Sequence, residues 1–306
     1  MIDNIKFYIN DKDRFEHNLE THQNIPMNAK YDVYTGEALN YPKSGKLHNL
    51  DIRLTQERAS VLGSLHKFNN LWVYNDNHNY NDFNACEIDC VNDFICDSLD
   101  IDPRETKITN LEFGFNILVD EDIKDILDRT IMYNFENHTR KETFRGQGYF
   151  KQFCKTDYSI KVYDKSKQYK VNQNILRIEL KITRARLLNN LGIYCLADLN
   201  KTSYKSLFKA FLERFDKLLI VDTLRMINEK HKSNKDLLID GTNPHFWIDL
   251  RNRGTRNVNA HQKAKFKKLL NDNYSLITHN KIKNSLIAKF NELMNDNCTN
   301  SLQQVA

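Results

Sequence analysis

Three short segments of this 306-residue chain carry residue types that perform phosphoryl chemistry when they are brought together. Asn110–Ile117 contains Glu112, Ser159–Lys165 places Tyr163 between Lys161 and Lys165, and Leu176–Lys181 contains Arg177, Glu179 and Lys181. A tyrosine hydroxyl, with a pKa of about 10, becomes a nucleophile once its proton is removed or its developing charge is stabilised, and a neighbouring lysine can do either. Two carboxylates within reach hold a hard divalent cation, which polarises a phosphoryl oxygen and supports a leaving oxygen. The chemistry would be metal-assisted attack on a phosphodiester.

Strands are the elements that must position these groups, because their side chains alternate between two faces. Leu111, Phe113, Phe115 and Ile117 give the first segment an unbroken apolar face, which leaves Asn110, Glu112, Gly114 and Asn116 on the other. The same parity sets Ile160 and Val162 against Ser159, Lys161, Tyr163 and Lys165, and Leu176, Ile178 and Leu180 against Arg177, Glu179 and Lys181. A glycine at the centre of a strand lets another backbone or a ligand approach. The short connection 165–174 makes the last two segments an antiparallel hairpin, with Asp164 at its turn. Arg177 is read either as a clamp on phosphate or as the partner that orients Glu179. Tyr149, Tyr158 and Tyr169 are alternative hydroxyls, Tyr158 on the apolar side and Tyr169 in the hairpin loop.

Val162-Tyr163-Asp164-Lys165, then Leu176-Arg177-Ile178-Glu179-Leu180-Lys181, and upstream Asn110-Leu111-Glu112-Phe113-Gly114-Phe115-Asn116 resemble the rolling-circle replication initiators of plasmids and phages, of the Rep_trans and phage gene-two/gene-ten type. The resemblance covers about Leu50 to Asn200 and is clearest over Ile108–Ile182. It implies that Tyr163 nicks one DNA strand at an origin and is left joined to the 5′ phosphate, with Glu112 and Glu179 as ligands of Mg²⁺ or Mn²⁺. Lys161 and Lys165 would assist the hydroxyl, and Arg177 and Lys181 would contact DNA. The family often has a second acid four residues after the first, a position held here by Asn116, a neutral ligand. Paired histidines of the wider group of tyrosine nickases are missing, and His66, in Gly63-Ser64-Leu65-His66-Lys67-Phe68, is the strand histidine expected as a ligand. Origin DNA, single-stranded or hairpin, a host helicase and a second copy of the chain are the partners implied. A non-cleaving DNA-binding protein on the same fold and a relaxase of mobile-element transfer are the competing readings.

Around these segments, the first half of the chain reads as short strands, among them Ile5–Ile9, Leu50–Leu54 and Ala59–Phe68, with a loop over Asn75–Asn84 and a helix near 85–99. Within that helix Cys86, Cys90 and Cys96 match no zinc spacing and read as packing residues. From Thr183 the apolar period becomes helical, most clearly over Tyr204–Ile227, then Ala260–Asn271 and Ser275–Met294. The fold class expected is α+β, an antiparallel sheet with one helix-covered face followed by a helical C-terminal region. The division is 1–184, a nicking domain; 185–296, a basic DNA-binding region; and 297–306, a disordered tail.

Charge supports that division. Residues 185–306 hold 20 Lys and Arg against 11 Asp and Glu, a net of +9, whereas the remainder, 25 against 29, is net −4. Between Arg251 and Lys289 lie ten basic residues and one acid, Asp272, a balance suited to a phosphate backbone or to a solvated helical face. Arg251, Arg253, Arg256, Lys263 and Lys267 are the expected contacts there, with Phe246-Trp247 as a packing anchor, and Arg145 in the loop before Tyr149 is a further contact to single-stranded DNA. No apolar run approaches the roughly 18 residues of a membrane helix, nothing resembles an export signal, and the scattered cysteines suit a reducing compartment, so a cytoplasmic protein without membrane contact is expected.

Overall fold

The structure, a computed structural model, describes residues 1–22, 25–143, 149–222, 224 and 231–295. The chain begins with β1 (Ile2–Ile9) and α1 (Lys12–His22), followed by β2 (Lys43–Leu47), β3 (Leu50–Leu54) and β4 (Ala59–Ser64). Helices α2 (Leu65–Tyr74) and α3 (Ala85–Leu99) lead into the long strand β5 (Thr106–Leu118). Then come α4 (Ile123–Arg129), β6 (Thr130–Tyr133), β7 (Arg140–Thr143), β8 (Tyr149–Cys154), β9 (Tyr158–Asp164), α5 (Lys165–Tyr169) and β10 (Ile175–Ile182). The remainder is α6 (Ala185–Asn189), α7 (Lys201–Phe215), β11 (Leu218–Ile220), α8 (Lys232–Asp240), α9 (Pro244–Arg253), α10 (Arg256–Asp272) and α11 (Ile277–Asn295).

Nine strands form one sheet in the order β2-β3-β4-β1-β5-β10-β9-β8-β7, with every pair antiparallel. The apolar face of β5 meets helices: Phe113 packs on Phe211 of α7, and Phe115 on Phe208, Phe211 and Phe290 of α7 and α11. The fold is therefore α+β, an antiparallel sheet with one helix-covered face and a helical C-terminal region. Helix boundaries follow local chemistry. Asn84 and Glu87 close a capping box on α3, Asn200 caps α7, and the Asp164 side chain accepts from the Lys167 amide, so the expected turn residue starts α5 inside the hairpin.

Two expectations change. Ala59–Phe68 is not one strand: the Ser64 hydroxyl accepts from the Lys67 amide and starts α2, so His66 stands on a helix. The boundary at 184/185 does not separate two cores, because α7 and α11 bury Leu207, Phe211, Leu286 and Phe290 in the core of the sheet. A second, smaller core gathers Phe135, Leu219, Leu238, Trp247, Phe266 and Leu270, chiefly from α8, α9 and α10. Trp247 anchors it as expected, buried and donating its indole N–H to the Gly241 carbonyl at 2.8 Å. Arg145 and the tail 297–306 lie outside the described residues.

Candidate active site

The polar face of the sheet centre is buried, unlike an ordinary solvated face. Glu112, Tyr163, Arg177 and Glu179 are 7%, 4%, 2% and 5% exposed. Register explains their meeting: Arg177 lies opposite Asn116 on β5 and Tyr163 on β9, Glu179 opposite Gly114 and Lys161, and Lys181 opposite Glu112 and Ser159. Gly114 permits the closest of these approaches. A Cβ there would sit 2.5 Å from the Ile178 carbonyl oxygen and 2.7 Å from the Glu179 Cβ.

A third carboxylate comes from β1. Ile2 pairs with Phe113 and Ile5 with Leu111, so β1 has one more residue than β5 between these two pairings. This bulge breaks the period-two alternation and turns both Asp3 and Asn4 toward Glu112. Carboxylate oxygens of Asp3, Glu112 and Glu179 lie within 4.8 Å of one another. Among the described residues no other group of three metal-binding side chains is so placed. Asp3 escaped sequence reasoning because parity put it with Ile5 and Phe7; the available signal was an acid where the alternation of the strand fails.

Each charge in the row has a partner. The Arg177 guanidinium donates to Asp3 Oδ2, Glu179 Oε2 and Asn116 Oδ1, each at 3.0 Å. It thus orients two of the three carboxylates, the second of the two roles considered for it. Asn116 in turn donates to the Asn79 and Asn81 carbonyls at 3.1 and 3.2 Å, and so it ties the 75–84 loop to the sheet, apart from the carboxylate group. Lys181 donates to Glu112 at 2.7 Å, and Ser64 and Asn79 donate to Asp3. His66 is also apart: it is buried, stacked on Phe83, with Nε2 2.8 Å from Asn81 Oδ1. Burial pushes its pKa well below the usual imidazole value, so its ring is neutral at pH 7, and it does not belong to the converging group of Asp3, Glu112 and Glu179.

Tyr163 is at the centre. Its hydroxyl donates to Glu179 Oε2 at 3.1 Å, and the Lys165 Nζ lies 3.5 Å from its oxygen. Burial, reinforced by Glu179, raises the phenol well above its ordinary pKa, so the hydroxyl is protonated at neutral pH. Burial and the Arg177 charge bring Lys165 down to about 7, which makes it partly neutral and able to accept a proton near neutrality. The Lys161 Nζ sits 4.6 Å from the Tyr163 ring centre, over its face. Burial and the Glu179 charge raise the Glu112 carboxyl above the usual range. That like-charge strain, and a donor set made only of carboxylates, suit a hard divalent cation such as Mg²⁺ or Mn²⁺. Burial would raise the Asp3 carboxyl, but Arg177 first, then Lys165, His66 and the Ser64 hydroxyl together hold it down at about 2.

These groups open onto a cleft of about 620 Å³ that Asp3, Glu112, Lys161, Tyr163, Lys165 and Glu179 line together. Tyr158 is not among them; it packs against the core with its hydroxyl 3.0 Å from that of Tyr133. Tyr169 donates to Asn79 Oδ1 at 2.6 Å. Away from the cleft, Arg251 pairs with Glu136 at 3.4 Å, Lys263 and Lys267 lie 5.0 and 5.7 Å from the Phe135 ring centre, and Arg253 and Arg256 are exposed.

No helix among the described residues is long and apolar enough to cross a membrane. No protein-family model matches the chain, and no curated protein matches it. Among solved structures, a rolling circle replication initiator protein from Geobacillus stearothermophilus is similar to this chain at 13% identity and a TM-score of 0.44, over 76% of this chain and 89% of that one.

Proposed function

We propose that the protein is a DNA replication initiator that nicks one strand at an origin, with Tyr163 as nucleophile and Asp3, Glu112 and Glu179 as ligands of Mg²⁺ or Mn²⁺. The observation that carries this reading is the hydrogen bond from the Tyr163 hydroxyl to Glu179, itself one of three converging carboxylates in a cleft. In the reaction the Tyr163 oxygen bonds to phosphorus while the P–O3′ bond breaks. The phenolic proton passes to Glu179 or to Lys165, and the 3′ oxygen leaves as a hydroxyl after taking a proton from solvent. A divalent cation, when bound, polarises the phosphoryl oxygen and supports the leaving oxygen. Lys161, over the ring of Tyr163, favours the phenolate as charge develops. The 5′-phosphotyrosine stores the bond for later rejoining, and the freed 3′ hydroxyl can prime synthesis.

Origin recognition in this reading falls to the exposed cations of α9 and α10, Arg253 and Arg256 first, with Arg251, Lys263 and Lys267 beside them. The test is to incubate the full chain with single-stranded oligonucleotides tiling the origin region of its own replicon, with Mn²⁺, and to resolve protein–DNA adducts on a denaturing gel. Wild type forms an adduct and Tyr163→Phe forms none. An adduct that survives in Tyr163→Phe contradicts the nucleophile. No adduct from wild type across the tiled region favours a DNA-binding protein that does not cleave.

A further inference from the structure

The polar face of the sheet continues beyond the cleft. Antiparallel partners share a face, so the registers lay out rows across the strands. Next to the carboxylate row, Lys6 stands between Leu62 and Asn110. Leu62 is 45% exposed and also lines the cleft. One row further, Tyr8 stands between Ser60 and Lys107, with Arg53 opposite Ser60 on β3. Arg58, in the β3–β4 turn, and Lys6 lie 5.9 and 5.0 Å from the Tyr8 ring centre.

Charge is arranged differently here from the carboxylate row. Among the described residues, Lys6, Arg53, Arg58 and Lys107 have no ion-pair partner. Arg53, Arg58 and Lys107 are exposed, and Lys6 and Tyr8 are half-buried. Lys6 and Arg58 beside the Tyr8 ring, with Lys107 and Arg53 in its row and one exposed acid, Asp51, paired with Lys46 and opposite Leu62, form a surface for a polyanion with stacking groups. At about 3.3 Å per residue the Tyr8 row lies roughly 13 Å along β1 from Asn4, a reach of a few nucleotides. Beyond it, at the strand ends, Asp11, Asp13, Glu57 and Glu105 surround an opening and would repel phosphate. The basic stretch therefore has one end at the cleft and the other at this acidic rim.

We propose that Lys6, Arg53, Arg58 and Lys107, with Leu62 and Tyr8 between them, form a binding track for the single DNA strand that flanks the phosphate in the cleft. The cations take backbone phosphates, and Leu62 and Tyr8 take the faces of unstacked bases. The identity of the strand rests on the nicking reading; the surface itself does not.

The test measures binding of fluorescein-labelled dT20 to the full chain by anisotropy, in EDTA, over a range of salt. The triple variant Arg53→Ala/Arg58→Ala/Lys107→Ala binds at least tenfold more weakly at low salt, and the slope of log K against log salt falls by about 2. Tyr8→Ala binds about fivefold more weakly, whereas Tyr8→Phe, which keeps the ring, binds like wild type. A control, Lys201→Ala/Lys205→Ala/Lys209→Ala, removes as much charge from exposed positions on α7 and leaves affinity and slope unchanged. Thermal unfolding of each variant confirms that it folds. Wild-type affinity and slope in the first triple variant, or an equal loss in the control, overturns the track. Because the readout needs neither metal nor cleavage, the track can fail while Tyr163→Phe still abolishes the adduct, and it can stand if no adduct ever forms.

Discussion

Two groups of charges in this protein are held in opposite ways. In the carboxylate row, Asp3, Glu112, Tyr163, Arg177 and Glu179 are buried, and each is hydrogen-bonded to a neighbour in the row or beside it. On α9 and α10, Arg253 and Arg256 stand in solvent. A buried charge is tolerated only while its partners are present, so the stability of the row and the chemistry proposed for it depend on the same bonds. An exposed charge is solvated whether or not it binds anything, so on the helices the proposed DNA binding can be lost without loss of the fold.

The largest separation is expected between Arg177→Ala and Arg256→Ala. The first strips the buried Asp3 and Glu179 of their shared cation and costs about 3–5 kcal/mol; the second stays within about 0.5 kcal/mol. Urea unfolding measures both, and equal losses would show that the fold depends no more on the buried row than on the exposed helices.

Acid should expose the same dependence. The Asp3 carboxyl is held at about 2 against an ordinary 3.8. A depressed carboxyl contributes stability that is present above the unfolded value and lost as pH falls through the folded one. The window is therefore about pH 4 to pH 2, and the contribution is about 2.5 kcal/mol. Wild type should lose that much more stability than Asp3→Asn across this window. Parallel pH profiles for the two proteins would show that Arg177 does not hold Asp3 as described.

Gly114→Ala probes the backbone beneath the carboxylate row. Its methyl would meet the Ile178 carbonyl and Glu179, at a cost of about 1–3 kcal/mol by overpacking. Unchanged unfolding would mean that β5 and β10 can part without cost.

How much of this was legible in the sequence depended on period. β9, β10 and the Asn110–Ile117 part of β5 alternate without interruption, so parity alone put Glu112, Tyr163, Arg177 and Glu179 on one face, and the structure brings them together. Asp3 was hidden because the bulge in β1 breaks the alternation just where the acid stands. His66 was misplaced because Leu65 and Phe68 continue an apolar run that fits strand or helix. The deciding feature is the Ser64 cap, which is visible only as a serine three residues before Lys67. Helix α1 escaped notice because, within Lys12–His22, only Phe15 and Leu19 mark its buried face. The division at 184/185 followed the change from strand to helix period and the basic charge beyond it, which record the helices but cannot show that α7 and α11 return to cover the sheet.

In the proposed function Asp3, Glu112 and Glu179 hold a divalent cation beside Tyr163. Calorimetric titration of Mn²⁺ into the protein tests it most directly, with Glu112→Gln as the comparison, since Glu112 is a carboxylate of the trio that Arg177 does not hold. One site per chain in wild type, weakened at least tenfold in Glu112→Gln while the variant stays folded, is the expected result. Equal Mn²⁺ affinity in the two proteins, or no binding to wild type, would contradict it.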